Sequence, residues 1–260
     1  MFYITNKDRI ISVAIALSTV LVLFLLASTF KQGNSLNTVE TSVSVSKLLP
    51  IYSVDTNENK VALTINCAWN AEDIDLILDT LSKNNVKVTF FIVGDWAEKF
   101  PDAVEKIKNS GNEIANHSYS HPHVNNLSYD KNIEQITKCS ELLKSITGND
   151  TTLYRAPYGE YNDTVVKACK DSKHEMIQWS IDTLDYNAIS GEEMWNRIED
   201  KLANGSIILM HNGTENTALS LDMIIKKIKE KGYELVTVSD LIYKDDYTID
   251  INGVQHKTVN

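Results

Sequence analysis

From Val61 onward the apolar and polar positions fall into short blocks of two kinds that alternate along the chain. Residues 61–65, 88–93, 113–115, 153–154, 176–179, 206–210 and 233–238 are brief runs rich in Val, Ile, Leu, Phe and Tyr, the pattern of strands buried on both faces. Between them the period changes. Residues 73–82 place Ile74, Ile77, Leu78 and Leu81 at helical spacing, and residues 96–107, 128–146, 164–170, 192–202 and 219–231 behave likewise. Pro101 interrupts the second of these helices at a place that suits a helix start, and Gly111 ends it. About seven strand–helix repeats predict one parallel α/β domain, either a barrel or an open sheet. Upstream, residues 49–54 and a second apolar run from Lys60 flank the turn cluster 55–59, which predicts a short hairpin leading into the domain.

The first thirty residues follow another rule. Residues 10–30 are uncharged and dominated by Ile, Val, Leu and Ala. Their helical length, about 30 Å, matches the hydrocarbon thickness of a bilayer, so a transmembrane helix is expected. Lys7 and Arg9 precede this run and only Lys31 follows it closely, so residues 1–9 are expected in the cytoplasm and the remainder outside. The small residues Ala27 and Ser28 leave a second reading, a cleaved signal segment and a secreted domain. Residues 31–47 read as a flexible stalk, 48–245 as the α/β domain and 246–260 as a C-terminal tail.

A net charge of −10 without a Lys/Arg stripe excludes nucleic acid as a partner class. Three cysteines, Cys67, Cys139 and Cys169, imply no disulfide framework, and the last two fall in helical patterns as small core residues.

The unusual polar residues share one location. Asn66-Cys67, His117 and His121, Arg155 to Gly159, Asp182 to Asp185 and His211 each follow the carboxyl end of a predicted strand, where parallel α/β folds gather their functional groups. His117 and His121 are four apart, so on a helical turn both imidazoles would leave one face, a spacing suited to a divalent metal. A polar loop with histidines at helix ends is the plainer alternative. The others have plain readings too. Arg155 could pair with a rim carboxylate, Pro157-Tyr158-Gly159 could be a turn, Asp182 and Asp185 could cap a helix, and His211 could be a core histidine.

In this order, Thr89-Phe90-Phe91-Ile92-Val93-Gly94, the histidine pair, Arg155-Ala156-Pro157-Tyr158-Gly159, the segment from Trp179 to Asp185 and Ile208-Leu209-Met210-His211 resemble the polysaccharide deacetylases of carbohydrate esterase family four. The resemblance covers about residues 50–245. The lead-in before Asp55, Ala68-Trp69 and Tyr247-Thr248-Ile249-Asp250 are most similar to the spore-cortex-associated branch, which links the chain to sporulation. The resemblance implies a deformed (β/α) barrel and metal-assisted removal of N-acetyl groups from a cell-wall glycan, with peptidoglycan as the expected substrate. It implies a divalent metal, with zinc expected, on His117 and His121. It implies Arg155 as the holder of the catalytic carboxylate and the Tyr158 backbone N–H as an oxyanion donor. His211 would be the general acid, with Asp182 or Asp185 as its orienting carboxylate.

One motif departs from the family. Its Thr-Phe-Asp-Asp-Gly is here Thr64-Ile65-Asn66-Cys67-Ala68. The first Asp is the family's base and the second a metal ligand, and an Asn carboxamide takes no proton near neutral pH. Glu72 and Asp73 follow closely and could replace the base or the ligand, or could be acidic first-turn residues. Cys67 could join two imidazoles on zinc, or could simply fill space. Two function classes stand: a deacetylase of low activity, and a silent relative that binds glycan or a cell-wall partner.

Overall fold

A computed structural model describes residues 48–258. The expected membrane segment 10–30 and stalk 31–47 lie outside the described residues. Among the described residues no helix is long and apolar enough to cross a membrane.

The strands are β1 (Ser53–Val54), β2 (Lys60–Cys67), β3 (Thr89–Ile92), β4 (Glu113–Asn116), β5 (Leu153–Tyr154), β6 (Glu175–Met176), β7 (Ile181–Asp182), β8 (Ile207–His211), β9 (Glu234–Val236), β10 (Tyr247–Ile249) and β11 (Val254–Lys257). Eight of them build one sheet in the order β6-β5-β4-β3-β2-β8-β7, with β9 beside the start of β2. All its pairings are parallel, and helices cross between most successive strands. The parallel α/β domain that the alternating blocks predicted thus takes the form of a half-barrel, consistent with the deformed barrel that the resemblance implied. Along β2 the side chains alternate. Val61, Leu63, Ile65 and Cys67 pack against helix residues such as Ile77, Leu81, Ile224 and Ile228. Ala62 faces the inside with Phe91, Ala115, Ile177 and Ile207. The even positions Thr64 and Asn66 therefore carry polar atoms into the barrel.

The helices follow the predicted periods. Ile74–Lys83 buries Ile74, Ile77, Leu78 and Leu81. The proline break divides the next segment into Gly94–Lys99 and Pro101–Asn109, with Pro101 opening the second. Tyr129–Thr147 starts at Ser128, whose hydroxyl accepts the Lys131 N–H, and stops at Gly148 with φ 76°.

Three expectations need correction. The run 49–54 does not form a hairpin with β2. It crosses the seam of the half-barrel instead: Ile51 bridges to Ile177 in parallel and Ser53 to Ser206 in antiparallel. The Ile51 N–H donates to Met176 O at 2.8 Å, and the Gln178 N–H donates to Ile51 O at 2.7 Å. Residues 246–260 are more than a tail, because β10 and β11 form an antiparallel pair whose β11 runs parallel to β1. The predicted strand 176–179 shortens to β6, and β7 appears after it, unpredicted. All three cysteines are free and buried.

Candidate functional site

Register sets the floor of the site, because Asn66 lies level with Phe91 on β3 and His211 on β8. Arg155 follows β5 and is completely buried. Its Nη1 donates to Thr64 Oγ1 at 2.8 Å and to Asn66 Oδ1 at 2.9 Å, and Nη2 donates to Gln178 O at 3.0 Å. The guanidinium also lies 4.0 Å from the Phe91 ring centre. Each of these partners is neutral. Burial pulls the Arg155 pKa down to about 9, opposed by the charge of Asp182. A buried cation has thus lost the counter-ion that an acid at position 66 would supply.

The histidine pair does not sit on a helix. β4 ends at Asn116 and an irregular loop follows, with Ser118 at φ 69° and His121 at φ 54°. Pro122 disfavours helical backbone at the residue before it, which undoes the expected helical turn. The loop brings the rings together all the same, with centroids 5.0 Å apart at 81°. His117 Nδ1 is 2.7 Å from Arg155 O; a carbonyl only accepts, so Nδ1 carries the proton and Nε2 keeps its lone pair. Burial holds the pKa of His117 well below the imidazole range, with His121 as the next cause, and burial lowers His121 too. Two neutral nitrogen donors are what a divalent cation requires.

His211 is placed from behind by Asp185, which is completely buried. Asp185 accepts from His211 N at 2.6 Å, from Thr217 Oγ1 at 2.7 Å and from His211 Nδ1 at 2.8 Å. Nδ1 therefore carries a proton and Nε2 is the working nitrogen, an arrangement that fixes the orientation of the imidazole. Of the two candidate orienting carboxylates, Asp185 holds His211. Asp182 accepts from Leu184 N at 2.8 Å and Tyr186 Oη at 3.3 Å, and lines the cleft.

Cys67 and Asp73 have other partners. Cys67 sits in the sheet–helix core, pointing to the helix side rather than into the cleft, and burial, then the nearby Asp73, pushes its thiol well above the ordinary range. Asp73 accepts from Gly213 N at 2.7 Å and Asn212 Nδ2 at 3.1 Å, tying the helix Ile74–Lys83 to the segment after β8. Among the described residues no cluster of three or more His, Cys, Asp or Glu side chains is arranged to hold a metal ion. Among the described residues, His117 and His121 thus fit two positions of a divalent ion, and neither Cys67 nor Asp73 is placed as a third ligand.

Above this floor lies a cleft of about 560 Å³ lined by His117, His121, Tyr158, Trp179, Asp182 and His211, among others. Tyr158 adopts left-handed backbone (φ 59°) between Pro157 and Gly159. Its ring stacks on His123 at 4.3 Å and meets His121 edge-on at 4.6 Å. Sequence reasoning missed two supports. Gln135 Oε1 accepts from Ser120 N at 2.9 Å, Ser118 Oγ at 3.0 Å and Tyr119 N at 3.1 Å, so one carboxamide fixes the histidine loop. Gln178 holds Arg155 through its carbonyl and Gly159 O through Nε2 at 3.1 Å. Both are isolated glutamines with no local signature; only the fold reveals them.

The family model for polysaccharide deacetylases matches residues 53–177. The chain is 35% identical over 201 residues to a peptidoglycan-N-acetylglucosamine deacetylase of Bacillus cereus, covering 76% of this chain and 73% of that protein. It is 35% identical over 193 residues to the uncharacterized protein YlxY of Bacillus subtilis, covering 74% of this chain but only 60% of that relative's length. Among solved structures, BA3943 of Bacillus anthracis, described as a CE4 family pseudoenzyme, matches with a TM-score of 0.73 at 31% identity, covering 82% of this chain and 74% of that one. A BA3943 mutant described as having restored enzymatic activity matches with a TM-score of 0.72 at 34% identity, covering 75% and 71%.

Proposed function

The chain belongs to the polysaccharide deacetylase family, and from that premise we propose that it binds an N-acetylated cell-wall glycan, of the peptidoglycan kind, without deacetylating it at an enzyme's rate. One observation carries the reading. Asn66 stands where the family's base stands, and its oxygen is taken by Arg155 Nη1. A carboxamide oxygen can still accept a hydrogen bond through its second lone pair, but it is far too weak a base to take a proton near neutral pH, and its N–H groups only donate. Hydrolysis of an amide needs the opposite, an acceptor for the proton of the attacking water.

The rest of the site is in place for amide recognition. His211, backed by Asp185, can donate from Nε2 to a departing amine once protonated. The turn at Tyr158 carries the N–H that would meet a developing oxyanion. His117 and His121 would hold the metal, for which two imidazoles favour zinc; when bound it would polarise the carbonyl and acidify water. The similarity to a described pseudoenzyme supports the reading. The uncharged run 10–30 after Lys7 and Arg9 supports an anchored domain outside the cytoplasm. The likeness to the spore-cortex branch supports a role in sporulation.

The test uses zinc-loaded full-length protein with N-acetylglucosamine oligomers, measuring heat of binding and released acetate side by side. Binding with acetate at background is the expected result. Acetate release at the rate of the Bacillus cereus deacetylase would overturn it.

A further inference from the structure

The large aromatic side chains exposed among the described residues are Trp69, Tyr158 and Tyr186, with 49%, 58% and 45% of their surface open, and all three line the one cleft. They divide between its walls. Tyr158 belongs to the His121 side and has one face covered by His123. Trp69 and Tyr186 flank His211: the indole lies 5.3 Å from the imidazole at 34°, and the phenol meets it edge-on at 5.4 Å.

Neither flanking ring is on a loose loop. The carbonyl next to Trp69, that of Asn70, accepts from Trp96 Nε1 at 3.0 Å and from Asn212 Nδ2. Tyr186 reaches Asp182, which is itself fixed by the Leu184 N–H. An indole held half-bare on a fixed backbone loses little freedom when it is covered, so covering it is favourable. The opposite wall and floor of the cleft carry the polar groups that recognise an acetamide.

We infer that Trp69, assisted by Tyr186, is the stacking platform for the C–H face of a pyranose ring next to the one over His117 and His121, so that the cleft takes a glycan chain rather than a single sugar. This rests on the glycan reading above and adds which residue selects for length. In the sequence Trp69 stood out only as half of the Ala68-Trp69 pair similar to the spore-cortex-associated branch, and the fold places it on the cleft.

The experiment titrates the full chain with N-acetylglucosamine and with its oligomers of increasing length. For the unaltered chain, affinity should rise with length. Trp69→Ala should weaken the longest oligomer by at least about tenfold while leaving the single sugar unchanged, a fraction of what a central Trp anchor usually carries. Trp69→Phe, which keeps an aromatic face, should retain most of the length dependence, and Leu76→Ala, at an exposed position of the helix Ile74–Lys83, should retain all of it. If Trp69→Ala shows the same length dependence as the unaltered chain, the platform is wrong while the glycan reading survives. If the unaltered chain binds no oligomer at all, both fall together.

Discussion

Arg155 and His117 show at single residues how the site stores its chemistry. Arg155 is a buried cation among neutral partners, with its pKa pulled to about 9, and it still carries its charge at neutral pH. His117 is the reverse case, a buried imidazole kept neutral. The unfolded chain would take a proton at His117 below about 6.5, where the folded chain does not. Stability from this group is therefore complete above that pH and is lost as pH falls towards the lower folded value. His121 and His174 shift in the same direction, and His256, raised by Asp55 and Asp250, shifts against them. The melting temperature of the metal-free protein should fall as pH is lowered from neutrality, and less steeply in His117→Gln. An unchanged slope in that variant would show that His117 titrates normally. At this scale the sequence was informative where chemistry is carried by residue type: Asn66 showed at once that the position the resemblance gives to the base holds no carboxylate. It could not choose between Asp182 and Asp185, because one ends a two-residue strand and the other lies in the turn after it, and only that turn decides which carboxylate swings behind His211.

Among the elements, the regular ones were legible and the irregular ones were not. Among the described residues of the α/β domain, the apolar strands 61–65, 88–93 and 206–210 and the helices with a clear period appear close to where they were expected. β7 was missed because two residues carry no period, and the histidine loop was misread because i, i+4 spacing fits a helix that Pro122 forbids. The closing segment was misread for a further reason, since its partners are distant in sequence. Val54 N–H donates to Gly205 O at 3.0 Å, and Gly205 has φ 76° with a would-be Cβ overlapping the Val54 carbonyl. This contact seats Ile51 against Met176 and Gln178, the strand end that holds Arg155. Gly205→Ala should thus cost more than about 2 kcal/mol, the strain of a left-handed non-glycine residue plus the overlap. A melting temperature lowered by about 4–8 °C is expected. No shift would mean that the lead-in does not pack as described.

On the scale of the whole molecule, the polar residues of separate strands meet because the strands are parallel and end level, which places Asn66, His117, Arg155 and His211 within one rim. That convergence was legible from the sequence; the neutral environment of Arg155 was not, since it depends on which atoms face inward. If the anchored, outward-facing arrangement proposed from residues 10–30 holds, protease added to cells with an opened envelope should remove the domain, and complete protection there would contradict it. The central claim is that the carboxylate missing at position 66, rather than the one missing at position 67, separates this site from a working deacetylase. Asn66→Asp would place a carboxylate on Arg155 with almost no change in volume, and the nearby guanidinium would keep it ionised. General-base assistance is typically worth about 10²–10⁴ in rate. The most direct measurement is acetate released from an N-acetylglucosamine oligomer by zinc-loaded protein, with Asn66→Asp beside the unaltered chain. Asn66→Asp should raise release by at least about tenfold, and the gain should disappear when His121→Ala is added. Equal release from both proteins, at any rate, would contradict it.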